Sequence, residues 1–178
     1  TLPQLGGYIA DFAHSPISPH HGISSAMHKT DHIHTHFMQL AIEQARAGIA
    51  SGQSPFGAVI VRGEQIIAAT HNHVWAHTDP AAHAEVECIR CAGKALNTID
   101  FAGCVMYTSC EPCPMCASAI HWANLDAVYF GARIEDAQHA GFRELTIPIE
   151  TMYELGKSTV EIHADCLRTE CAALFTPA

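Results

Sequence analysis

Basic residues are scarce in this chain: nine Lys and Arg stand against 18 Asp and Glu, for a formal charge of −9. The nine are also scattered, at Lys29, Arg46, Arg62, Arg90, Lys94, Arg133, Arg143, Lys157 and Arg168. A surface that tracks a phosphate backbone needs clustered bases, so a small neutral substrate is expected and tRNA is not the expected partner. No apolar run approaches the roughly 20 residues that a membrane helix requires, and no secretory hydrophobic stretch precedes the core. The expected location is therefore the cytoplasm, without a membrane partner. Internal repeats and an obvious second domain are also lacking, and 178 residues suit one domain with a substantial core.

Cysteine, by contrast, is plentiful. Five of the eight cysteines stand at Cys-x-x-Cys spacing: Cys88 with Cys91, and the overlapping run Cys110, Cys113, Cys116. In a reducing compartment that spacing points to metal or to helical coincidence rather than to disulfides. Residues 1–34 form a His-, Pro- and Ser-rich arm, read as a surface-hugging or partly ordered tail, and residues 35–178 form the main domain. A helix is expected from about Thr35, because Phe37, Leu40, Ala41, Ala45 and Ile49 recur near helical spacing. Residues 56–61 and 65–70 read as a hairpin around Arg62-Gly63-Glu64. A loop then leads to a helix over 82–96, a strand over 104–108, a helix from Pro112 and Pro114 to about Ala123, and a strand over 126–131. Residues 135–157 look irregular, with Pro148 as a breaker. A last strand over 158–162 and a closing helix over 166–174 complete an α/β sandwich around a mixed sheet.

Two segments carry the chemistry. His83-Ala84-Glu85 and Pro112-Cys113-Pro114-Met115-Cys116 both fall at expected helix N-termini, where free backbone N–H groups favour negative charge. Cys113 and Cys116 are three residues apart and share a helix face. Zinc takes four ligands, and a catalytic site leaves one position to water. His83, Cys113 and Cys116 would fill three, which leaves Glu85 free to move protons. A Cys-x-x-Cys on its own also fits a redox pair or half of a structural zinc site, and Cys88 and Cys91 could complete a four-cysteine cage. That cage would leave His83 and Glu85 without a role, and mid-helix thiols at 88 and 91 suit packing better.

The His-x-Glu and Pro-Cys-x-x-Cys pair is the signature of zinc nucleobase deaminases. Together with Pro55-Phe56-Gly57-Ala58-Val59, Asn72 and Thr108-Ser109-Cys110-Glu111, it makes residues 35–145 resemble the purine-acting branch of the cytidine-deaminase-like superfamily. The resemblance implies a three-layer α/β/α sandwich around a five-stranded sheet, one zinc per subunit and a homodimer. Glu135-Asp136-Ala137 and Ala140-Gly141-Phe142 are similar to a stretch of the guanine-acting members, in which the acid matching Asp136 binds substrate N–H groups. A carboxylate only accepts hydrogen bonds, and guanine offers N1–H and its 2-amino group side by side. Asn72 would bind the other purine edge, Phe56 would stack on the ring, and Glu144 joins the substrate-binding set behind Arg143. Each also has a plain structural reading: Phe56 as core, Asn72 as a turn residue, Asp136 as a solvated loop acid.

The expected reaction is zinc-dependent hydrolysis of guanine to xanthine and ammonia, with a zinc-bound water as nucleophile and Glu85 as proton shuttle. The alternatives are a tRNA adenosine deaminase, a deaminase of guanosine or another aminated heterocycle, and a non-catalytic zinc-stabilised module.

Overall fold

The computed structural model describes residues 23–176, with side chains from His32 onward, so the first 22 residues of the expected arm lie outside the described residues. The element order is α1 (Ile23–Ala50), β1 (Gly57–Arg62), β2 (Gln65–His71), α2 (Val74–His77), α3 (Ala84–Leu96), β3 (Cys104–Cys110) and α4 (Pro114–Trp122). It continues with β4 (Ala127–Ala132), α5 (Ile134–His139), α6 (Ile149–Gly156), β5 (Glu161–His163) and α7 (Arg168–Ala172), closed by a 3-10 turn at Ala173–Phe175. The five strands form one sheet in the order β2-β1-β3-β4-β5. β1 runs antiparallel to β2 and β3, whereas β3, β4 and β5 are parallel, so the sheet is mixed as expected.

Alternation along the strands sorts the core into two layers. Ala58, Ile60, Cys104, Met106 and Val128 face α3 and α4, and Val59, Val61 and Tyr107 face α1 and α7. Phe37, Met38, Ala41, Ile42 and Ala45 give α1 its buried stripe. That helix lies so close to the sheet that a Cβ on Gly57 would stand 2.2 Å from the carbonyl oxygen of Ala41. Only glycine permits this approach, and it fixes the start of β1, where Phe56 sits. The backbone then ties that start to the end of β2, because Asn72 N–H donates to the Phe56 carbonyl at 2.9 Å.

Three expectations are corrected. Helix α1 begins at Ile23 rather than near Thr35, so residues 23–34 of the expected arm are helical. At its inner end His34 Nδ1 meets the Tyr107 hydroxyl at 2.8 Å, a contact that anchors this turn to the sheet. The expected loop from Asn72 to His83 contains the single turn of α2. Residues 135–157 are not irregular either, since α5 and α6 lie there. Pro148 opens α6 instead of breaking a helix, the role that proline takes where amide hydrogens have no intrahelical partner. Among the described residues no helix is long and apolar enough to cross a membrane.

Candidate active site

The carboxyl end of β3 delivers the chain directly into α4, and the N-terminus of α3 meets it there. His83 is the N-cap of α3 and Cys113 the N-cap of α4, both in extended backbone, with Pro114 as the first helical residue of α4. Extended caps turn both side chains off the helix ends toward one point. Cys116 joins them from one turn along α4, buried at 0% exposure. His83 Nδ1 lies 3.7 Å from Cys113 Sγ and 3.6 Å from Cys116 Sγ. The three donor atoms all fall within 4.8 Å of one another. Among the described residues no other group of His, Cys, Asp and Glu is so arranged.

The four-cysteine alternative fails on position. Cys88 is buried and its thiol points at the carbonyls of Ala58 and Ala68, 3.6 and 3.5 Å away, while Cys91 is exposed on the same helix. Cys88 is a packing residue.

The groups at the corner shift one another's protonation. The Cys113 thiol is pulled down to about 4, first by the hydrogen bond from Cys116 and then by His83. His83 is raised to about 9, chiefly by its hydrogen bond to Cys113. Cys116, which donates to Cys113 and is buried, is held well above the ordinary thiol value. Two sulfurs and an imidazole nitrogen, gathered at two positive helix ends, are the soft donors that zinc prefers, and three of them leave a fourth position open.

Glu85 lies in the first turn of α3, 6% exposed, with its carboxylate between the Thr108 hydroxyl at 3.3 Å and Cys116 Sγ at 3.5 Å. Burial raises its pKa to about 6. A carboxyl near that value is suited to taking and giving protons close to neutral pH.

A cavity of about 240 Å³ opens beside this corner. Six of the expected site residues meet at it: His83, Glu85 and Cys113 at the corner, with Phe56, Asn72 and Glu144 around the wall. Asn72 is buried, and its Oδ1 accepts the Val74 N–H at 3.0 Å, which orders the loop and leaves the amide nitrogen as a donor. The carboxyl of Glu144 is pushed up by burial and by the nearby Cys113.

Asp136 does not belong to this set. It does not line the cavity. Its Oδ2 accepts the Arg133 N–H at 2.8 Å, which caps α5, and both oxygens receive the Arg168 guanidinium at 3.0 and 3.1 Å. In this structure Asp136 is engaged with α5 and Arg168, and Glu144, eight residues on, is the acid of this stretch that lines the cavity.

Other wall residues escaped the sequence reading. Phe142 crosses Phe56 edge-on at 5.2 Å between ring centres, and Phe175 from the final turn backs both at 5.6 and 5.7 Å. Aromatic pairs of this kind are worth about 0.5–1.5 kcal/mol each beyond burial. Glu111 holds the wall in place: its Oε2 accepts the Ile134 N–H at 3.1 Å and its Oε1 the Ile149 N–H at 2.9 Å. One buried carboxylate thus fixes the first residues of both α5 and α6, the two ends of the segment that carries Phe142, Arg143 and Glu144. The adjacency of Glu111 to Pro112-Cys113 was visible in the sequence, but its partners were not.

A mixed five-stranded α/β sheet with a three-donor metal corner and a buried free acid defines a zinc-dependent hydrolytic enzyme. Residues 31–132 match the cytidine and deoxycytidylate deaminase zinc-binding region, and the chain belongs to that family as a zinc-dependent deaminase. It is 48% identical to the guanine deaminase of Bacillus subtilis over 110 residues, 61% of this chain and 70% of the relative. It is 38% identical to a tRNA-specific adenosine deaminase of Aquifex aeolicus over 106 residues, 60% and 69% of the two chains. The solved guanine deaminase of Nitrosomonas europaea superimposes with a TM-score of 0.74 at 28% identity, covering 92% of this chain and 97% of that one.

Proposed function

We propose that the protein deaminates guanine to xanthine and ammonia, with His83, Cys113 and Cys116 as the zinc ligands. The observation that carries this reading is the pairing, in one cavity, of a half-buried acceptor, Glu144, with a buried amide, Asn72, beside the metal corner. The carboxylate of Glu144 suits the adjacent N1–H and 2-amino donors of guanine, and the Asn72 amide nitrogen suits an acceptor on the purine edge. Phe56 and Phe142 supply an aromatic wall for a flat ring.

When bound, zinc supplies the Lewis acidity that makes water nucleophilic near neutral pH. Glu85 removes a proton from the water that attacks C2 and passes it to a ring nitrogen. It then takes the remaining hydroxyl proton and gives it to the amino group, which leaves as ammonia while the C2 carbonyl forms. Thus one water is consumed and one ammonia released. Glu144 and Asn72 orient the ring so that C2, and not C6, faces Glu85.

The tRNA-specific relatives favour a second reading, adenosine deamination in tRNA. Against it stands the charge balance, since Arg143 is the one Lys or Arg among the cavity-lining residues. The guanine reading includes a homodimer in the cytoplasm, with a small purine as the diffusing substrate.

The test is ammonia release from zinc-loaded protein with guanine, guanosine, adenine, adenosine and cytosine side by side, accompanied by a tRNA gel shift at moderate salt. Guanine ahead by at least tenfold is the expected result. Preference for adenosine with retarded tRNA would move the assignment to the second reading.

A further inference from the structure

The strand that ends at the metal corner also touches the proton shuttle. Thr108 stands in the middle of the sheet, on β3, paired with Ala58 of β1 on one side and Phe130 of β4 on the other. It lies on the same strand face as Cys104 and Met106, both of which pack in the layer toward α3 and α4. It is 1% exposed, and its hydroxyl is 3.3 Å from Glu85 Oε1. We propose that Thr108 is a positioning residue for Glu85, holding the carboxylate in the one orientation that faces both the attacking water and the departing amino group. The inference rests on Glu85 being the proton shuttle.

The reasons are geometric. A glutamate has three side-chain torsions, and a shuttle that serves two positions in turn gains from having one oxygen fixed. Among the described residues two side chains reach the Glu85 carboxylate, the Thr108 hydroxyl on Oε1 and the Cys116 thiol on Oε2 at 3.5 Å. A zinc-ligating cysteine is a thiolate and has no proton to donate. With Cys116 committed to metal, Thr108 is therefore the remaining side-chain donor to Glu85 among the described residues.

Thr108 is also well suited to the task. Its β-branched side chain is stiff about χ1, and a central strand bonded on both sides is as rigid a mount as the fold offers. The separation of 3.3 Å is long for a hydroxyl–carboxylate hydrogen bond, and catalytic hydrogen bonds without substrate are commonly long and tighten in the reacting complex.

The experiment compares zinc-loaded wild type, Thr108→Val, Thr108→Ser and Glu85→Gln, with the double variant Thr108→Val/Glu85→Gln. Valine keeps the shape and removes the hydroxyl, whereas serine keeps the hydroxyl. On the best substrate of the panel, T108V is expected to lose about 10- to 100-fold in kcat with KM within about twofold, the scale of effect of a misplaced reacting group. T108S is expected to regain most of that rate, and T108V is expected to cost nothing further in the E85Q background. Crystal structures of zinc-loaded wild type and T108V supply a readout independent of turnover, with the Glu85 carboxylate expected to rotate away from its wild-type position in T108V. A T108V protein with wild-type kcat, or with Glu85 unmoved, overturns the proposal while leaving the shuttle in place. An E85Q protein with near-normal turnover instead overturns the shuttle reading on which it stands.

Discussion

The metal corner and the substrate wall share one cavity but are held together by different parts of the chain. At the corner, His83, Cys113 and Cys116 are fixed by two helix N-termini and the central strand β3, and each of the three lies at a cap or within the first turn. The wall is built from residues 142–144, whose segment has no regular structure and is secured at its ends by Glu111 and behind by Phe175. The corner depends on contacts made where the motifs stand. The wall depends on a carboxylate that reaches Ile149, 38 residues further along the chain. On the proposed function the chemistry and the choice of substrate are therefore separable: a change in the wall should leave the corner's geometry intact, whereas a change at the corner should remove the reaction whatever the wall recognises.

The separation is tested first, and most severely, at the corner. Cys116→Ser replaces a buried soft donor by a hard one, and Cys113→Ser does the same to the thiol that the site most favours as thiolate. Each is expected to lose stoichiometric zinc, measured by elemental analysis, and at least about a thousand-fold in kcat/KM, roughly 4 kcal/mol of transition-state stabilisation. Full zinc occupancy in either variant would remove that cysteine from the ligand set. The same loss must appear with every substrate, since it concerns the reaction and not the pocket.

Much of the corner was legible in the sequence because its spacing is local. One residue between His83 and Glu85 and two between Cys113 and Cys116 leave little freedom once a helix N-terminus is placed there, and Pro114 announces that terminus. The hairpin of β1 and β2 was legible for the same reason, with Gly63 at a φ of +59 in its turn. The wall was not. Helix α5 has only six residues, and its start is satisfied by Glu111 and Asp136 rather than by a signal in its own periodicity. Asp136 and Glu144 are both acids in one polar stretch, and nothing local says that the first turns toward Arg168 and the second toward the cavity. Phe175 reached the wall from the far end of the chain. A C-terminal aromatic carries no sequence mark of what it will pack against.

Glu144 is where the wall can be changed without touching the metal. Glu144→Gln keeps the size of the side chain but removes its charge and turns one acceptor into a donor, facing the donor edge of guanine. A charge-assisted hydrogen bond to substrate is worth about 1.5–3 kcal/mol, so kcat/KM for guanine is expected to fall about 10- to 100-fold. Zinc content and thermal stability should stay at wild-type values. If zinc is lost together with activity, wall and corner are coupled and the comparison between them fails.

The smallest effect belongs to Asp136, and it decides which acid serves the substrate. The Arg168 guanidinium holds the Asp136 carboxyl below its ordinary value, with the Arg133 N–H helping. A carboxylate whose folded pKa is depressed contributes stability above its unfolded value of about 3.9 and loses that contribution as pH falls through the folded value. Asp136→Asn removes the ion pair but still offers an oxygen to the Arg133 N–H. The pair is largely solvent-screened, so the loss at pH 7 should be only about 0.5 kcal/mol, a small drop in the denaturation midpoint. The gap between variant and wild type should close as the pH is lowered below about 4, where the wild-type carboxylate is itself being protonated. Turnover of guanine by D136N should stay within about twofold of wild type. A fall as large as that of E144Q would instead place Asp136 at the substrate, which requires Arg168 to release it and the α5–α6 segment to rearrange when guanine binds.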